Sequence, residues 1–127
     1  MIIKKVSLLI AISLSAYTQS ATPQNLIIKN NAKDCFTLTV TNQLESSKDP
    51  VLLNASIDPA QNGQECPCKS ALMKYSAYQE IEEDILTLIS GNFSILSREK
   101  LMLPVAAQGN LIFADHPVIL SITCSNP

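Results

Sequence analysis

The chain holds no tryptophan, one histidine and three glycines, and its aromatic rings are three phenylalanines and three tyrosines in 127 residues. So few flat side chains leave no material for a platform on which bases or sugars could stack. The single histidine, His116, is the one base available to a Ser-His-acid arrangement. No serine sits in a nucleophile elbow or beside an oxyanion glycine motif, and Asp115 next to His116 is a neighbour in sequence, which does not make it an orienting partner. Gly63, Gly91 and Gly109 all fall outside the acidic group Glu80, Glu82, Glu83 and Asp84. That group therefore lacks the sharp-turn glycine of a calcium loop and reads as a solvated connection. Conventional catalysis finds no footing, so the chain reads as a non-enzyme.

Residues 1–20 have the anatomy of a secretory signal: Lys4 and Lys5, an apolar run from Val6 to Leu14, and a short polar tail. The run is about half of what a bilayer span needs, which predicts cleavage rather than a permanent anchor. Thr18, Ser20 and Ala21 are small enough to allow cleavage after Ser20, and no cysteine follows to take a lipid. The short signal points to a bacterial protein, periplasmic or secreted. Removing 20 of the 127 residues leaves 107, a single domain over residues 21–127. Lys4 and Lys5 leave with the signal, so seven basic residues face eleven acidic ones and the mature charge is 7 − 11 = −4. An acidic chain has no electrostatic footprint for nucleic acid, and insertion in a membrane after cleavage is not expected. The expected partner is another exported or envelope protein.

Beyond the signal, the apolar residues recur with period two. Phe36, Leu38 and Val40 share one face against Thr37, Thr39 and Thr41, and the β-branched residues favour an extended chain. Val118, Leu120, Ile122 and Cys124 make a second strand face. Shorter strands are predicted at 26–29, 52–57, 93–96, 101–105 and 111–113. Turns are predicted at Asp49-Pro50, Asp58-Pro59, Gly91-Asn92, Gly109-Asn110 and His116-Pro117. Residues 71–90 fit two periods: Ala71, Met73, Tyr75 and Ala77 as a strand face, or Met73, Ala77, Ile81, Ile85 and Leu88 as a helix stripe. Two strands joined through the acidic group are preferred, because no good N-cap opens a long helical pattern and the rest of the chain is β. The sum is an all-β antiparallel sandwich of about seven short strands.

Four cysteines, Cys35, Cys66, Cys68 and Cys124, in a small exported domain read as a disulfide framework with three possible pairings. Pro67 extends the Cys66-Pro67-Cys68 segment, and a direct bridge across it would be strained. Two bridges that separate Cys66 from Cys68 are therefore preferred. A redox pair lacks support, since only Lys69 is an adjacent cation and the spacing is not that of thioredoxin-like enzymes. No metal and no cofactor is expected. The alternative is Cu(I) on Cys66 and Cys68, with Met73, Met102 or His116 folding in as a soft or imidazole ligand; Met73 and Met102 read more plainly as core, and His116 as an exposed turn residue.

The order of features resembles a family of small exported bacterial proteins of unknown function: Cys35, then Cys66-Pro-Cys68-Lys-Ser-Ala71, Gly91-Asn-Phe93, Leu103-Pro-Val105 and a terminal Cys124. The resemblance spans nearly all of the chain after the signal. It implies an immunoglobulin-like sandwich and supplies no activity or site residues. The expectation is a disulfide-stabilised binding or structural module of the periplasm. Its rivals are a thiol-redox or Cu(I)-handling protein centred on Cys66 and Cys68, and a small secreted inhibitor presenting that segment as a rigid loop.

Overall fold

The computed structural model describes residues 24–61, 65–96 and 99–126. The export segment read at 1–20 lies outside the described residues. Seven strands follow in order: β1 (Leu26–Asn30), β2 (Phe36–Val40), β3 (Val51–Pro59), β4 (Leu72–Ile81), β5 (Asp84–Ser94), β6 (Glu99–Ala106) and β7 (Val118–Cys124). They form a four-stranded sheet in the order β1-β7-β4-β5 and a three-stranded sheet in the order β2-β3-β6. Every pair is antiparallel except β1 with β7, which runs parallel from Leu26 opposite Val118 to Asn30 opposite Ile122.

The strand order is immunoglobulin-like. In the usual lettering, β2, β3 and β6 stand as A, B and E, and β5, β4 and β7 stand as C′, C and F. The position beside F, where strand G would run antiparallel, is taken by β1 running parallel.

The period-two reading locates the core. On β3, Val51, Leu53, Ala55 and Ile57 are buried between partly exposed Leu52, Asn54 and Ser56. On β4, Met73, Tyr75, Ala77 and Gln79 are buried while Leu72, Lys74, Ser76 and Tyr78 lie on the other face. A fully buried leucine or isoleucine contributes about 1.5–3 kcal/mol, so these two alternating strands, joined by Val118, Leu120 and Ile122 of β7, hold most of the apolar stabilisation. The sheets meet through rings: Phe36 of β2 packs edge-on against Phe93 of β5 at 5.8 Å, and Tyr75 lies 6.2 Å from Phe93. The Tyr75 hydroxyl donates to the Pro104 carbonyl of β6 at 2.9 Å, a polar tie between the two layers.

Residues 71–90 are strands, as the period-two pattern and the β context indicate; Ile85, which a helix stripe would have buried, is 69% exposed. The hairpin closes on Glu82 and Glu83, and Glu82 has a positive φ of 57°.

Other local expectations are corrected. Residues 111–113 are not a strand. Gly109–Leu111 is a 3-10 turn, the Ile112 N–H donates to the Gly109 carbonyl, and the Phe113 N–H goes to a side chain, so no strand neighbour is left to pair. Gly91-Asn92 is mid-strand rather than a turn: Gly91 lies opposite Tyr75, whose ring would stand 2.9 Å from a β-carbon there, so the glycine makes room for the aromatic. Asp58-Pro59 ends β3 opposite Thr37 and Phe36. Met102 is 63% exposed and not core, because Leu101, Leu103 and Val105 take the inward face of β6. Val118 to Leu120 of β7 are buried on both faces, not on one, since Ile119, opposite Tyr78 and Ile27 on the outer side, is buried as well.

Two outcomes follow. A side chain at positive φ costs roughly 1 kcal/mol that glycine does not incur, so Glu82→Gly should raise unfolding stability by about that amount in urea titration; an unchanged or lowered midpoint would contradict the turn geometry. Burial holds the Tyr75 hydroxyl above its ordinary value of 10.0. The unfolded chain therefore releases this proton before the folded one does, and stability is full below about pH 10 and falls above it. Tyr75→Phe should flatten that alkaline decline in urea midpoints measured between pH 8 and 11, while costing about 1 kcal/mol at pH 8 for the lost hydrogen bond.

Candidate functional site

Strand pairing places the four cysteines at one end of the sandwich. Cys35 closes the turn before β2, Cys124 is the last residue of β7, and Cys66 and Cys68 lie in the connection from β3 to β4. Cys35 bridges to Cys66 with Cα atoms 4.6 Å apart, and Cys68 bridges to Cys124 with Cα atoms 5.2 Å apart. No cysteine is free. Cys-Pro-Cys is thus a strap: its first sulfur is tied to the three-stranded sheet's entry and its second to the four-stranded sheet. The loops closed span 31 and 56 positions and do not overlap, and in the chain-entropy picture each bridge contributes about 4 kcal/mol. Backbone bonds finish the strap: Lys69 N–H donates to the Asn126 carbonyl, and Ser125 N–H to that of Leu72.

The sulfurs gather closely. The Sγ atoms of Cys35, Cys66 and Cys68 all lie within 4.8 Å of one another, and the Met73 thioether is 3.9 Å from the Cys68 sulfur. Cys35 is buried; Cys66 and Cys68 are half-buried. Of the three additional soft-metal ligands considered, the structure brings only Met73 here. Met102 stands on the outer face of β6 opposite Asn54, and His116 precedes β7 at the end opposite Cys124; it is half-buried rather than exposed. Among the described residues, Glu80, Glu82, Glu83 and Asp84 do not converge on a common point as metal ligands would.

The opposite end is held without covalent links. Gln79, fully buried at the end of the β4 face, donates from Nε2 to the carbonyls of Phe113 and His116 at 2.9 and 3.1 Å, and its Oε1 accepts from the Phe113 N–H at 2.9 Å. Gln24 adds donation from its amide to the same two carbonyls and pairs through its backbone with Leu44. The long connection from β6 to β7 is thereby pinned by two buried side-chain amides, Gln79 with three bonds to it and Gln24 with two. Asp49 secures its other side by accepting from the Gly109 N–H at 2.6 Å, where a β-carbon on Gly109 would stand 1.6 Å from the Ser46 carbonyl oxygen. Gln79 was missed by sequence reasoning, yet it follows Met73, Tyr75 and Ala77 at every second position, and a polar residue on a buried face is the signal that marks it.

What this pinned loop presents is apolar. Leu111 and Phe113 are nearly half exposed, and the neighbouring hairpin shows Ile85 and Leu86, with Leu86 directly opposite Gln79. Glu80, Glu82, Glu83 and Asp84 are exposed on the same hairpin, and exposed Asp115 follows Phe113 by two positions in the loop. Two shallow depressions of about 400 and 380 Å³ lie on the outer face of β3 and β6 and share Asn54 and Met102.

A family model described as "Uncharacterized protein conserved in bacteria (DUF2195)" matches residues 9–127. The chain belongs to this family. No curated protein and no solved structure matches it. The family is bacterial, and the sandwich with its two bridges is the architecture that the described residues of this member adopt. Among the described residues, no helix is long and apolar enough to cross a membrane.

Replacing Gln79 by leucine keeps the volume but orphans the Phe113 N–H and leaves the Phe113 and His116 carbonyls with Gln24 as their side-chain donor. Each unmade bond to a buried group costs about 1–3 kcal/mol, so Gln79→Leu should lose at least 2 kcal/mol in urea unfolding, and Gln24→Leu less, because Gln24 shares its acceptors. Equal losses would show that the loop does not hang on Gln79.

Proposed function

We propose that this family member is an exported, non-enzymatic binding module of the bacterial periplasm or exterior, built to carry a protein-contact surface on a covalently fixed base. The observation that carries the reading is the division of the sandwich. All four cysteines are spent on bridges at one end, while the other end exposes Leu86, Leu111 and Phe113, with Ile85 on the other face of the hairpin, beside the exposed acids of that hairpin and Asp115. Apolar side chains with charge beside them are the composition of a contact surface, and the acids select a partner whose apolar segment is flanked by lysine or arginine. Disulfides form and persist in the oxidising space outside the bacterial cytoplasm, which agrees with export.

One observation favours a second reading. Three cysteine sulfurs within 4.8 Å, with the Met73 thioether 3.9 Å from one of them, are a soft donor set in waiting. If an external dithiol reduced both bridges, two electrons and two protons to each, the resulting thiols would suit Cu(I). The bridged form offers it no thiolate.

Two measurements separate these readings. Intact mass of chain recovered from the periplasm, alkylated before reduction, should show loss of residues 1–20 and no alkylated cysteine under the first reading; alkylation at Cys66 and Cys68 would favour the second. A photo-crosslinking amino acid at Phe113 should yield adducts in the living cell that the same group at Thr37, on the opposite sheet, does not. Equal adducts at both positions would remove the open end as the contact surface.

A further inference from the structure

β1 differs from the other six strands in three respects. Among the described residues it is the one strand with no antiparallel partner strand, and it occupies the place that an immunoglobulin-like sandwich gives to strand G. It is shallow: Leu26, Ile28 and Asn30 are half-buried, and Ile27 and Lys29 are exposed, whereas Val118, Ile119, Leu120 and Ile122 of the strand it pairs with are buried. It also lies outside the covalent frame, because the first bridged residue of the chain is Cys35 and a turn at 31–35 separates the two. Withdrawing β1 breaks no disulfide; it takes with it the Gln24 contacts to Leu44, Phe113 and His116, which a second copy's Gln24 would restore.

Withdrawal would bare the edge of β7 along Val118–Ile122, a row of backbone donors and acceptors flanked by buried apolar side chains. Such an edge pairs with whatever compatible strand reaches it. The strand that fits without any new complementarity is another molecule's Leu26–Asn30, since it brings the same side chains in the same register. The hinge is held by the Asn31 N–H donating to the Ile122 carbonyl, the Asn30 side chain accepting from the Ala32 N–H and the Ala32 carbonyl accepting from the Cys35 N–H, each at 2.9 Å, with Ala32 itself buried in the core. At the other end of β1 the Gln24 N–H donates to the Leu44 carbonyl and the Val118 N–H to that of Asn25. Opened to extended backbone, residues 31–34 reach roughly 13 Å.

We propose that the β7 edge is a strand-binding site whose ligand is β1 of a second copy, so that the protein forms dimers by exchanging Leu26–Asn30. The exchanged form makes the contacts of the monomer across two chains, and its population therefore rises with concentration. The site runs along one sheet edge and uses none of the apolar residues of the open end.

The register supplies the test. Lys29 lies directly opposite Ser121 on the outer face. Full-length chains carrying Lys29→Cys are mixed with chains carrying Ser121→Cys at high concentration and treated with a short bismaleimide. Exchange predicts a covalent dimer joined at these two residues in at least tenfold greater yield than from Lys29→Cys mixed with Thr37→Cys. A chain carrying both substitutions, cross-linked to itself beforehand, should no longer enter dimers. Yield no greater than the Thr37→Cys control overturns the proposal. So does preferential joining of Ser121→Cys to a chain carrying Asn92→Cys, which would assign the edge to pairing with β5 of a neighbour. Because new cysteines can disturb the native bridges, wild-type chain is also mixed with its nitrogen-15-labelled form and followed by native mass spectrometry: mixed-mass dimers should appear over hours, and their absence overturns the proposal independently.

Discussion

The structure depends on the three-residue strap Cys66-Pro67-Cys68. Proline holds the two cysteines in an extended segment, which sends their sulfurs to different sheets, Cys66 to the residue just before β2 and Cys68 to the residue that ends β7. A small sandwich has little core with which to hold two sheets in face-to-face register, and here the register is set covalently at one end. From that end the layers are carried by alternating burial on β3 and β4, by the Phe36, Phe93 and Tyr75 rings, and by the Tyr75 hydrogen bond across to β6. At the far end the covalent links are replaced by hydrogen bonds from the buried amides of Gln79 and Gln24. The molecule is therefore graded, cross-linked at its base and increasingly dependent on polar contacts toward its loops.

That grading bears on function. A contact surface on loops works when the frame beneath it does not yield, and Gln79 gives the long loop before β7 a fixed seat while leaving Leu111 and Phe113 outside. The same grading leaves β1 as the one strand that covalent chemistry does not retain. Its parallel pairing fills an edge that would otherwise be open, which protects the monomer from edge-to-edge association. Filling an edge with a detachable segment also creates a site for the same segment from elsewhere.

Much of the fold was legible where one periodicity prevailed. Phe36 to Val40 and Val118 to Cys124 are strands because β-branched and apolar residues alternate there without interruption, and Met73, Tyr75 and Ala77 put the first half of 71–90 on a sheet face. Illegible features were those decided by a distant partner. Gly91 and Asn92 carry turn chemistry, but the Tyr75 ring packed over Gly91 keeps them in a strand. Leu111 to Phe113 carry strand chemistry, but Gln79 takes the Phe113 N–H and no neighbouring strand is offered. Met102 has the composition of a core residue and the wrong parity. The parallel seat of β1 could not be read from Leu26, Ile27 and Ile28, because contiguous apolar residues do not state which edge they will join. The open end was missed for the same reason, since its side chains come from a hairpin and a loop far apart in sequence.

Native-state hydrogen exchange, read strand by strand by mass spectrometry on the oxidised chain, tests this graded picture most directly. It predicts slowest exchange for β3, β4 and β7, with β1 opening at a free energy several kcal/mol below theirs and independently of them. Protection of β1 equal to that of β7, lost only in the same global opening, would contradict the account.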